Sequence, residues 1–246
     1  MDLVSCAGDR GKTVAILQSN YVPWKGYFDI IHSVDEFILY DEVQYTTGVW
    51  RNRNLIKRPD GRIAWITIPI FHRGHLSRRI SEAMVADPFW SRNHSNKIHD
   101  CYRNAPFYLD SADRIHGLYG SLAEEELLSR VNYRLIKSIC DVLRIFTKIS
   151  WSTDYPGEGG QTERLVSICQ MAGANAYLSG PSARNYLDQS LFAKQGIKVE
   201  WMRYEYPEYP QTAGPFTHQV SILDLLFNTG PQAADFIWGS RQRRVA

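Results

Sequence analysis

Residues 14–54, VAILQSNYVPWKGYFDIIHSVDEFILYDEVQYTTGVWRNRN, place apolar and polar blocks in an order that few folds accept. A short apolar run at 13–18 reads as a buried strand. Pro23 opens a turn, and the spacing of Phe28, Ile30 and Ile31 predicts a helix over 25–33. Residues 36–40 read as a second buried strand ending at Asp41. Strand, loop, helix and strand in that order set a loop and a helix start beside the end of a second strand. Open α/β sheets bind ligands in such crevices. The segment also carries Gln18, Asn20, Tyr21, Trp24, Lys25, Asp41, Gln44, Trp50, Arg51, Asn52, Arg53 and Asn54, more polar and aromatic groups than a connecting loop needs.

The rest of the chain extends the pattern. IAWITIPI at 63–70 is a further strand candidate closed by Pro69, and 71–90 is expected to be irregular. From about residue 91 the periodicity turns helical, with the longest helix expected over 122–145. A short strand at 149–152, a helix at 162–172 and strands at 176–179 and 199–204 follow. Residues 206–215 form a Pro-rich loop, and a last helix over 220–228 is stopped by Gly230 and Pro231. Strands alternating with helices predict an α/β fold: a mostly parallel sheet with helices on both faces, Rossmann-like and three-layered, with a helix-rich middle section. The expected organisation is a leader at 1–12, one α/β domain at 13–240 and a basic tail at 241–246.

Composition excludes several classes. The 246 residues carry 28 basic and 26 acidic side chains, so bulk charge does not predict nucleic-acid binding. No apolar run is long enough to cross a membrane, and the polar start carries no signal-peptide core, so a cytoplasmic location is expected. Cys6, Cys101, Cys140 and Cys169 form no CxxC pair, which argues against structural zinc or a redox couple. Cys140 and Cys169 lie in apolar helical patterns and read as small buried hydrophobes. No metal site and no cofactor motif is identified.

The individual groups admit two readings each. Lys25 and Gly26 at a helix start suit a phosphate or carboxylate, with glycine admitting a ligand to the main chain; a plain turn uses the same residues. Asp41 at a strand end suits a hydroxyl partner, a metal ligand or a base, and equally a turn cap. If 51–54 is extended, Arg51 and Arg53 share one face and Asn52 and Asn54 the other. Arginine grips phosphate or carboxylate with two prongs, although a solvated edge strand carries such charges too. Ser179 and Gly180 follow a strand, where a substrate contact or a tight turn is expected, with Asn185 and Tyr186 near by. His218 suits an acid or base, or a helix start. His94 and His99 are five apart and do not share a helix face. His72-Arg73-Gly74-His75 matches the HxGH of one class of nucleotidyl transferases but follows the wrong strand, and coincidence is the preferred account.

Taken together, QSNYVPWKGYFDII, LYDEVQY, WRNRN and AWITIPI, with YLSGPSARNYLD and SILDLLFNTG near the end, resemble the WbqC-like family of bacterial proteins. The likeness spans 14–230. Members carry Gln-Pro where this chain has Gln18-Ser19, so this loop lacks one rigidifying proline. The resemblance implies an enzyme of polysaccharide or small-molecule biosynthesis, acting by group transfer on a sugar nucleotide, an amino sugar or an amino-acid-like compound. The expected partner is a small anionic substrate rather than nucleic acid or membrane. In that reading Lys25 and Arg53 hold the anion, Asp41 acts on a hydroxyl or amine, and His218 assists. The alternatives are a non-catalytic binding module of a biosynthetic assembly and a nucleotidyl-transferase-like enzyme using the HxGH.

Overall fold

The computed structural model describes residues 11–71 and 78–238. In chain order the elements are β1 (Thr13–Leu17), α1 (Lys25–His32), β2 (Glu36–Leu39), β3 (Arg53–Lys57), β4 (Ile63–Thr67), α2 (Trp90–Tyr102) and α3 (Tyr108–Ser121). There follow α4 (Leu128–Val142), β5 (Lys148–Trp151), α5 (Gln161–Met171), β6 (Ala176–Ser179), α6 (Gln189–Lys194), β7 (Lys198–Trp201) and α7 (Ile222–Thr229). His72, Arg73, Gly74 and His75, the leader up to residue 10 and Arg241–Arg244 with the rest of the tail lie outside the described residues.

Val14, Ala15 and Ile16 alternate across the sheet and are all buried, which suits a strand covered on both faces. β1 therefore takes the centre, in the order β5-β2-β1-β6-β7, with every pairing parallel. Ala15, Phe37 and Leu39 pack into the apolar cluster that includes residues of α1, α4 and α7. Val14, Ile16 and Ile38 pack into a second cluster with Leu165 and Ile168 of α5 and Phe192 of α6. The expected α/β sheet with helices on both faces is present. The chain leaves β1 towards β2 and β5, then returns to β6 on the opposite side of β1. The connections beyond Leu17 and Ser179 therefore diverge and open a crevice.

Between β2 and β5 the chain inserts the helix-rich middle section and an antiparallel hairpin of β3 and β4. The run expected at 63–70 is thus a shorter strand outside the main sheet. Ile66 is buried while Ile63 and Trp65 are exposed, so β4 has one covered face, as an antiparallel ribbon requires. The helix expected over 122–145 starts only at Leu128. Residues before it turn back, with the Glu126 carbonyl accepting from Val85 N at 2.8 Å. Cys140 and Cys169 are buried, and burial pushes both thiols up to about 12. No helix among the described residues is long and apolar enough to cross a membrane.

The end of the sheet away from the crevice is fastened by Glu36, which is fully buried. Its carboxylate accepts from Lys12 Nζ at 2.7 Å, Ser150 Oγ at 2.5 Å and the Tyr155 hydroxyl, and pairs with Lys148 Nζ at 2.9 Å. Burial alone would raise its pKa, but these donors hold it down at about 2. A carboxyl whose folded pKa lies below its unfolded value stabilises above the unfolded value and loses that effect in acid. Stability is therefore expected to fall as pH drops from about 4.5 towards 2. Glu36→Gln should cost roughly 2–4 kcal/mol at pH 7 and flatten that acid limb, read by urea unfolding across pH.

Candidate functional site

Leaving β1, residues 18–24 have no strand partner, so their backbone groups must be satisfied from elsewhere. Tyr21 N donates to the Trp50 carbonyl at 3.0 Å, and Ile222 N donates to the Pro23 carbonyl at 2.9 Å. Asn54 Nδ2 donates to the carbonyls of Tyr21 and Val22 at 3.0 and 2.9 Å. Val22 sits at φ 35°, a conformation a β-branched residue adopts only when its surroundings impose it.

Beneath this loop lies a buried polar cluster. Asp41, 1% exposed, accepts from Ser19 N at 2.8 Å and from the Ser129 hydroxyl. Asn132 Nδ2 donates to Ser19 Oγ at 3.1 Å and to the Arg51 carbonyl at 2.8 Å. The Arg51 guanidinium donates to the side-chain oxygens of Gln18 and Asn20. Burial lowers the Arg51 pKa, while Tyr27 and Asp41 counter that. Asp41, expected to meet a substrate hydroxyl or amine, is instead turned inward with both oxygens engaged. Its position at the end of β2 makes it a fastening for the neighbouring loop.

Above the loop is a cavity of about 510 Å³ lined by Asn20, Trp24, Trp50, Asn54, His218 and Gln219, among others. The segments leading into the first turns of α1 and α7 both form part of its wall. Helix starts favour anions through their free N–H groups and dipole. Lys25, the first residue of α1, is 4% exposed. Its ammonium stands 4.9 Å from the Tyr206 ring centroid and 5.0 Å from that of Tyr209, and donates to the Pro207 carbonyl at 3.2 Å. The two tyrosines are themselves anchored, Tyr206 donating to Asp29 Oδ2 at 2.8 Å and Tyr209 to Asp224 Oδ1 at 2.8 Å. Lys25 makes no ion pair among the described residues, and burial brings its pKa down to about 8. His218 Nδ1 is buried without a hydrogen-bond partner. Burial, then the nearby Lys25 charge, lowers the His218 pKa, with Glu208 opposing.

The other expected groups divide clearly. Gly26 does not open the main chain to a ligand, because a side chain there would collide with the Trp24 indole. Its smallness admits that indole instead. The alternation at 51–54 is present: Asn52 and Asn54 are buried, while Arg51 and Arg53 are only partly so. Asn52 Nδ2 fastens the hairpin by donating to the Ile68 carbonyl at 2.8 Å. The Arg53 guanidinium lies 4.0 Å over the Trp65 ring, away from Lys25. Gln44 is exposed beside Arg79. Ser179 is buried, and its carbonyl accepts from Met202 N at 2.9 Å. Gly180 faces Tyr204, which packs on Trp24 with centroids 5.1 Å apart. Tyr186 is 56% exposed and does not line the cavity. Asn185 closes a short turn beside it. Among the described residues no group of three or more His, Cys, Asp or Glu side chains is placed to hold a metal.

Sequence reasoning missed Ser129 and Asn132, although both break the apolar stripe of α4 three residues apart, a visible signal for a buried polar contact. It also missed the fixed chain Tyr119–Tyr21–His94. Tyr21 Oη lies 2.6 Å from Tyr119 Oη and 2.7 Å from His94 Nδ1, and His94 Nε2 lies 3.1 Å from the Thr67 carbonyl. A carbonyl only accepts, so Nε2 carries the proton, Nδ1 accepts from Tyr21, and Tyr119 donates to Tyr21. Burial drives the His94 pKa down to about 4.

A model of the WbqC-like protein family matches residues 18–236. The chain is similar to the uncharacterized protein Rv1507c of Mycobacterium tuberculosis, at 45% identity over 233 residues, covering 94% of this chain and 100% of that protein. No solved structure matches.

Two outcomes follow for the framework of the site. Asp41→Ala leaves the Ser19 N–H and the Ser129 hydroxyl without their acceptor and should cost roughly 2–4 kcal/mol in urea unfolding. His94 takes its proton later folded than unfolded, so its neutral form stabilises fully above about 6.5 and loses effect as pH falls towards 4. His94→Gln should remove that part of the acid slope, which lies above the Glu36 window.

Proposed function

Because the chain belongs to the WbqC-like protein family, we propose that it is an enzyme of bacterial polysaccharide or small-molecule biosynthesis, working in the cytoplasm. It transfers a group onto a sugar-nucleotide, amino-sugar or amino-acid-like substrate bound in the cavity beside Trp24 and Trp50. A cavity of this size suits a metabolite. One observation carries the reading. Lys25 is a cation buried behind the cavity wall, with no ion-pairing carboxylate among the described residues, and in that wall His218 presents a buried Nδ1 with no partner. Such a cation is uncompensated until an anion arrives. Arg51, whose guanidinium donates to the amide oxygens of Gln18 and Asn20, is offset by the nearby Asp41 carboxylate and leaves Lys25 as the anion's partner. His218 has its pKa lowered, so its imidazole is neutral near pH 7 and available as a base. Asp41 acts indirectly, by holding Ser19 and so the loop that carries Asn20. Residues 13–240 are taken as one α/β domain serving this site.

The test is isothermal titration with sugar nucleotides, nucleotides and amino acids, followed by product analysis. An anionic member of this set should bind, and Lys25→Met should weaken it at least tenfold. Affinity should decline as pH rises through about 8, where the ammonium discharges, and the Lys25→Met variant should lack that decline. His218→Gln should spare binding and slow turnover about 100-fold or more. Unchanged affinity in Lys25→Met contradicts the reading; binding without any product supports a non-catalytic module instead.

A further inference from the structure

Trp50 and Trp65 are 46% and 41% exposed, yet they pack against each other with centroids 5.3 Å apart and planes tilted by 41°. Two large indoles standing together in solvent expose costly apolar surface, which in folded proteins marks a contact face. These indoles are also held in place. Arg53 covers Trp65 at 4.0 Å, and Lys97 Nζ donates to the Trp65 carbonyl at 2.7 Å. The Trp50 carbonyl accepts from Tyr21 N. Trp50 lines the cavity beside His218, whereas Trp65 lines a second hollow of about 350 Å³ with Asp87, Trp90, Asn93, His94 and Lys97. The tryptophan pair is thus the wall between two hollows.

We propose that the exposed Trp50–Trp65 corner, on the ridge between the two hollows, is the stacking platform of a saccharide site whose polar rim is the second hollow. A flat nucleobase is best held on a parallel face or between parallel planes. Rings tilted by 41° form a corner, which matches the puckered C–H face of a pyranose. The polar rim supplies the other half of sugar recognition. Asp87 is tied to Phe89 N at 2.8 Å and to Asn93 Nδ2 at 3.4 Å, which orients a carboxylate and an amide side by side. A carboxylate accepts from hydroxyls, and the amide both donates and accepts. The saccharide site stands on this geometry alone. Its role as the acceptor in group transfer rests on the function proposed above. His94, on the wall of this hollow, bonds Tyr21, the neighbour of Asn20 in the first cavity, so the two walls are connected.

The experiment is saturation-transfer NMR with three neutral trisaccharides, built from N-acetylglucosamine, glucose and mannose, with uridine and inorganic pyrophosphate titrated in parallel. At least one trisaccharide should receive saturation on its ring C–H protons. Trp65→Ala and Asp87→Asn should each weaken it at least tenfold, and Trp65→Phe should restore most of the affinity. Pyrophosphate binding should be unaltered in Trp65→Ala, which separates this site from the first cavity. Circular dichroism confirms that the variants fold. No binding by any of the three, equal binding by Trp65→Ala, or uridine occupying the platform in their place overturns the proposal. Loss of pyrophosphate binding in the wild type refutes the first cavity's role and leaves this site standing.

Discussion

The connection from β1 to α1 cannot satisfy its own backbone, and much of the structure answers that one need. Asn54 of the hairpin, Trp50 before it, Asp41 after β2 and Ile222 of α7 each take up a group of residues 19–23. The strain at Val22, on the order of 1–3 kcal/mol, persists because these bonds hold the residues on both sides of it. As a by-product, segments distant in sequence converge beyond the end of β1. The cavity is enclosed by the very pieces that tie the loop down.

Charge is divided along the same lines. The buried acids serve the framework. Glu36 fastens β2 to β5, and Asp29 and Asp224 anchor the tyrosines around Lys25. Glu42 pairs with Arg164 at 2.6 Å near the ends of β2 and α5. Lys25 is instead met by a carbonyl and two rings. Neutral partners leave its charge uncancelled, which biases the cleft towards anions.

Much of this was legible in the sequence. Continuous apolar runs marked β1, β2 and β6 because a central parallel strand is buried on both faces, and the end of α7 was marked by Gly230, its C-cap. The alternation of burial at Arg51, Asn52, Arg53 and Asn54 was readable, although only Arg53 and Asn54 lie in a strand and Arg51 and Asn52 form the turn before it. Side-chain direction was not. Asp41 and Gly26 have the residue types a ligand site uses, but local pattern does not say that Ser129 of a helix 88 residues away claims the carboxylate, or that the Trp24 indole fills the space above Gly26. The aromatic wall around Lys25 was equally hidden, since Tyr206 and Tyr209 lie in a loop without periodicity. The hairpin escaped placement because β4 is β-branched like a core strand, and only pairing shows that one face is open.

The central claim is that an anion belongs in the hollow between the α1 and α7 starts. A crystal structure of the protein with a bound sugar nucleotide addresses it most directly. The account predicts phosphate oxygens between Asn20 and the beginning of α1, with His218 facing the reacting group and the Tyr21–Val22 backbone unmoved. Phosphates bound at Arg53 or at the Glu42–Arg164 pair, with this hollow filled only by solvent, would contradict it.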